Sequence, residues 1–151
     1  MQMEWAQNHN VDHNCVSNGE YMSKEANNKA LVLAAFDAAF NQRDPGAAER
    51  YWSPNYIQHS AHIPPGRDGL FNLVAGLPAT VKYENSLIMA EGDYVMLHGR
   101  FSGLPGPAWV VLDIVKVIDG ILVEHWDVIQ DEATRESSKS GLPMFGDRFP
   151  S

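Results

Sequence analysis

The sequence predicts an α+β domain, with helices in the first half and a run of antiparallel strands in the second. Three observations lead there. Apolar residues between Lys24 and Asn41 recur at spacings of three and four, which lays them on one side of a helix. From Val81 onward the pattern changes to that of strands separated by short turns. The stretch from Trp109 to Gln130 is two apolar runs around Asp119-Gly120, a strong short-range hairpin signal.

Bulk properties bound the answer. A chain of 151 residues, 44% hydrophobic and 20% charged, fits one domain with a sizeable core. A net charge of −8 argues against nucleic acid or an anionic membrane as the main partner. The single cysteine, Cys15, cannot form a disulfide within the chain and offers no cysteine-based metal site. No apolar run approaches the roughly 20 residues of a membrane-spanning helix, and the first residues lack the layout of a secretory signal. A cytoplasmic location is therefore the expectation.

Residues 1–22 are polar, rich in Asn and His, and without period, so a flexible arm is expected there. A domain over 23–135 and a tail over 136–151 follow. Ser23 suits the N-cap of a helix over Lys24 to Asn41, with Leu33, Phe36 and Phe40 on its apolar side. Asp44-Pro45 starts a second, short helix that Ser53-Pro54 ends near Trp52. A segment from Tyr56 to His62 leads into Pro64-Pro65, after which Gly66 to Gly76 reads as a third helix carrying Leu70, Phe71, Leu73 and Val74. Val81 to Ala90 and Tyr94 to Ser102 read as strands joined by a turn at Glu91-Gly92-Asp93. Met144 and Phe145, in a Gly/Pro-rich tail, need a groove and are candidates for a lid. Helices across the concave side of a curved sheet leave a cavity between the layers, a common place for a small-molecule site.

The hairpin holds three ionisable groups among apolar neighbours: Asp113, His125 and Asp127. Buried charges need partners, so these form either a paired polar core or a site. Which face they share depends on the turn. A two-residue loop of Asp119-Gly120 sets Asp113 opposite Trp126 and takes it out of the cluster. A three-residue loop beginning at Ile118 sets Asp113 opposite His125 and Val111 opposite Asp127, and this register is the expectation.

The chemistry such a cluster allows is proton transfer without a cofactor. His59 and His98 are candidate hydrogen-bond donors to a developing enolate oxygen. Trp109, Val111, Phe71 and Tyr56 are the expected lining. A metal held by His98, His125 and Asp113 is an alternative, although no ligand-spaced motif supports it. A binding module that holds a small apolar ligand without chemistry is another.

The hairpin from Asp113 to Gln130, with Glu124-His125-Trp126-Asp127 at its centre, resembles that of SnoaL-like proteins in the nuclear transport factor 2-like superfamily. Tyr56-Ile57-Gln58-His59 followed by Pro64-Pro65-Gly66-Arg67-Asp68-Gly69, and the Met144-Phe145 tail, look like the subgroup described as predicted aldol-condensation enzymes. The resemblance covers roughly residues 24–146. It implies a cone-shaped roll of three helices over a strongly curved antiparallel sheet. It also implies a homodimer packed through the outer sheet face, where Leu112, Ile114, Trp126 and Val128 are expected, and a small apolar or polyketide-like partner. In the polyketide cyclases of this family an Asp two residues after a strand His is the acid/base, a role that falls to Asp127 with His125 as its neighbour; Asp113 stands at a polar pocket position. An epoxide hydrolase-like relative needs an Asp-Arg-Asp trio, for which Arg100 is the strand arginine available.

Overall fold

The computed structural model describes residues 22–150, so the arm expected over 1–22 lies almost wholly outside the described residues. Helix α1 spans Lys24–Phe36, with the Ser23 hydroxyl accepting from the Ala26 N–H at 3.1 Å as its cap. The helix then widens into a π-helical turn, Asp37–Asn41, instead of running on as a regular α-helix. That turn brings Asn41 to the edge of the sheet. Its amide donates to the Tyr83 carbonyl at 3.1 Å and accepts from the Tyr83 N–H at 2.9 Å, as a strand would. Helix α2 is short, Ala47–Tyr51, and α3 spans Gly66–Gly76.

Five strands follow one another around these helices: β1 Trp52–Gln58, β2 Lys82–Glu91, β3 Tyr94–Ser102, β4 Trp109–Ile118 and β5 Ile121–Asp131. They form one sheet in the order β1-β5-β4-β3-β2. All neighbours are antiparallel except β1, which pairs parallel to β5. Strand β1 is an addition to the expected scheme. Its Ser53-Pro54 start and polar residues hide any alternation, and β5 recruits it by edge pairing. No helix among the described residues is long and apolar enough to cross a membrane.

The helices pack on one sheet face. Val32, Ala35 and Phe36 of α1 and Leu70 and Val74 of α3 bury against Leu97, Val115, Val117 and Leu122 of the sheet. At the β2 end, Tyr83 sits among Phe36, Phe40 and Phe101 with ring centroids 4.9–6.0 Å apart. Gly99 makes room for it: a Cβ there would lie 2.6 Å from the Tyr83 ring, which three aromatic neighbours hold in place. We expect Gly99→Ala to cost about 1–3 kcal/mol of stability by urea unfolding. A midpoint unchanged from the wild type would contradict this packing account.

The tail does not form a lid. None of its described residues lines the cavity described below; Phe145 lies 5.6 Å from the His98 ring on the outer sheet face, and the Met144 sulfur accepts from the Ala133 N–H.

Candidate active site

The position of the three ionisable groups is decided by one extra residue. The turn is the two-residue form: Asp119 and Gly120 both have positive φ, 49° and 75°, and Ile118 pairs with Ile121. The three-residue register expected from sequence is therefore corrected. Continued without interruption, a two-residue loop would turn Asp113 away from His125 and Asp127. However, Lys116 pairs with Glu124 while Val117 pairs with Leu122, which leaves Val123 unopposed as a bulge. The bulge shifts β5 by one residue. Beyond it Asp113 faces Asp127 and Val115 faces His125, and all three ionisable side chains return to the helix-covered face.

There they converge. Asp113 and His125 are buried and Asp127 is half-buried, and one donor atom from each lies within 4.8 Å of the others. His125 Nε2 and Asp113 Oδ1 are 2.9 Å apart. His125 Nδ1 lies 2.8 Å from Gln58 Oε1, which also accepts from the Ser60 N–H at 3.0 Å. That second donor identifies the Gln58 atom as oxygen, so Nδ1 must carry a proton and donate it. The other imidazole nitrogen shares a proton with Asp113. Burial pushes the Asp113 carboxyl above its ordinary range, against the opposing pull of the His125 hydrogen bond. Its Oδ2 has no partner among the described residues, which is consistent with that direction. Asp127, in contrast, opens to the cavity and makes no side-chain hydrogen bond among the described residues.

The cavity between helices and sheet has a volume of about 130 Å³. Its wall is apolar apart from a few groups. Phe36, Phe40, Leu70 and Leu73 line it from the helices, and Trp109, Val111 and Ile129 from the sheet. Of the residues singled out in the sequence, the structure brings together Asp113, His125, Asp127, Trp109, Val111 and Tyr56. Burial raises the Tyr56 phenol, which keeps its proton.

Three expected positions lie elsewhere. Alternation along β1 turns Gln58 inward and His59 outward, where the His59 ring stacks on Trp126 at 4.8 Å and its Nε2 meets Glu124 at 2.9 Å. His98 pairs with Leu112 on the outer face, one residue out of phase with inward Leu97. Phe71 packs edge-on against Trp52, centroids 5.1 Å apart, and stays behind the wall. Two polar lining residues, Gln58 and His62, were missed. Gln58 was legible only through its neighbour, since an outward His59 implies an inward Gln58. His62, exposed beside Trp109 at 5.8 Å, carried no signal beyond its proximity to the Pro-rich turn. Arg100 points outward to Glu132 at 2.7 Å and Glu84 at 3.2 Å, which removes the Asp-Arg-Asp arrangement. Among the described residues, Asp113, His125 and Asp127 are the group close enough to hold a metal ion; His98 is not part of it.

A five-stranded curved sheet with helices packed on one face is a nuclear transport factor 2-like fold. The SnoaL-like domain matches residues 32–125, and the chain belongs to that family. No curated protein matches the sequence. Among solved structures, AclR, a candidate hydroxylase from Streptomyces galilaeus, is 30% identical with a TM-score of 0.58, the match covering 70% of this chain and 90% of that one. A candidate polyketide cyclase from Bacillus cereus ATCC 10987 is 22% identical, TM-score 0.62, covering 72% and 79%. A candidate ketosteroid isomerase from Kribbella flavida DSM 17836 is 16% identical, TM-score 0.65, covering 83% and 97%. The last two likenesses are of fold alone.

Proposed function

We propose that the protein is a cofactor-independent enzyme that moves a proton next to the carbonyl group of a small, largely apolar molecule, in an aldol-type cyclisation or an isomerisation. The observation that carries this reading is the meeting of Asp127, without a side-chain hydrogen bond among the described residues, with the buried His125–Asp113 pair on the floor of an apolar cavity. Asp127 takes the proton from the carbon beside the carbonyl, and the C–H electron pair moves into an enolate. In an isomerisation Asp127 returns the proton at another carbon. In an aldol step the enolate carbon bonds to a second carbonyl carbon, whose oxygen receives the proton. His125 and Asp113, sharing a proton between them, form a fixed polar neighbour to the base. The apolar wall excludes water and strengthens every charge interaction inside.

The test is hydrogen exchange into cyclohexanone in heavy water, followed by NMR. Loss of the α-proton signal faster with protein than in matched buffer is the expected result. A range of small enolisable ketones that bind but never exchange would exclude the enzyme. It would leave the second reading, a carrier of small apolar ligands, which the apolar lining favours.

The outer sheet face supports a homodimer. Val128 is 70% exposed and Leu112 38%, with Leu87 and Met89 of β2 also open to solvent. Light scattering is expected to give a mass near twice 16.8 kDa, and Val128→Asp is expected to shift it towards the monomer. A wild-type monomer at micromolar concentration would overturn the dimer.

A further inference from the structure

Gln58 occupies an unusual position for an amide. Its Oε1 is committed to two donors, the Ser60 N–H and the His125 Nδ1–H, so both ends of the carboxamide are fixed in direction. Its Nε2 is buried and has no acceptor among the described residues, although the side chain lines the cavity. A buried donor without an acceptor opposes folding, and such groups persist where a ligand completes them. Trp52 Nε1 is a second buried donor on the same wall with no hydrogen bond among the described residues; it and Gln58 both face the Tyr56 phenol oxygen without closing a hydrogen bond to it. Two donors that the phenol oxygen leaves unsatisfied call for a further acceptor oxygen. The carboxyl groups of Asp113 and Asp127 nearby disfavour an anionic guest, which leaves a neutral oxygen such as a carbonyl.

Size narrows the class further. Drug-sized ligands occupy clefts of roughly 300–1,000 Å³, whereas an apolar cavity of about 150 Å³ accepts benzene. The cavity here, about 130 Å³, belongs with the second. We propose that Gln58 Nε2 holds the carbonyl oxygen of the substrate, and that the substrate is a neutral ketone or aldehyde no larger than a single ring. This inference rests on the reading of the site as one for proton transfer beside a carbonyl, and it names the group that binds the oxygen.

The test compares cyclohexanone with methylcyclohexane, the same ring with a methyl group in place of the oxygen, by NMR titration of the full chain. Cyclohexanone is expected to move the Gln58 side-chain amide signal, and methylcyclohexane is not. Gln58→Glu keeps an oxygen for Ser60 and His125 but removes the donor. It should weaken cyclohexanone roughly five- to tenfold and leave methylcyclohexane within about twofold. Gln58→Met is the uncharged second variant, with the same expectation. Failure of cyclohexanone to bind, no loss in either folded variant, or equal loss for both ligands would overturn the assignment. Decalone, with two fused rings, is expected to bind more weakly than cyclohexanone; tighter binding would overturn the size limit. Exchange measured in the same samples separates this inference from the function it rests on. Gln58-dependent binding without exchange removes the acid/base role and keeps the oxygen site, while exchange without Gln58 dependence does the reverse.

Discussion

Asp127→Asn is expected to abolish proton exchange into a bound ketone, lowering the rate by roughly 10²–10⁴-fold, the range over which a positioned general base contributes. The asparagine side chain has nearly the same shape but cannot accept a proton at this position. Asp127 makes no side-chain hydrogen bond among the described residues and is half-buried at the cavity floor. Its replacement therefore breaks no network, and the melting temperature and the dissociation constant for cyclohexanone should stay close to those of the wild type. That separation is what makes the variant informative. A fall in rate accompanied by unfolding would argue for a structural role, and an unchanged rate in a folded variant would remove Asp127 from the mechanism.

Asp113→Asn is expected to change how stability depends on pH. In the folded protein burial holds the Asp113 carboxyl above its ordinary value of 3.8. Between the unfolded and the folded pKa, the folded state carries a proton that the unfolded state has released. Stability contributed by this group is therefore greatest at low pH and declines as pH rises through that window, by up to about 1.4 kcal/mol per pH unit for one proton. The asparagine does not titrate, and its amide donates to His125 Nε2 while Nδ1 still donates to Gln58 Oε1. The variant should thus gain on the wild type as pH rises from about 4, and the gain should level off above the folded pKa. Urea unfolding of both proteins from pH 4 to 8 measures it. A difference that runs the other way would mean that the imidazolium partner, not burial, governs Asp113.

Part of this was legible in the chain itself. The third helix and the strand Tyr94–Ser102 have the bounds their sequences imply, because Pro64-Pro65 and Gly76 punctuate the one and alternating apolar residues define the other. The grouping of Asp113, His125 and Asp127 also follows from the sequence, although for a different reason than the one that holds in the fold. The sequence argument reached it through a longer turn. In the structure the tight Asp119-Gly120 turn is kept and the Val123 bulge corrects the register.

Local sequence thus determined the class of fold, the hairpin and the three ionisable groups that had to be explained, since periodicity and turn chemistry act over a few residues. Only the tertiary structure decided which face each polar residue took. The bulge at Val123 returns His125 and Asp127 to the cavity, and parallel pairing of β1 with β5 sends Gln58 inward and His59 to the surface. A strand has a period of two, so one residue of register inverts every side chain. That residue is chosen by what the whole sheet can bury.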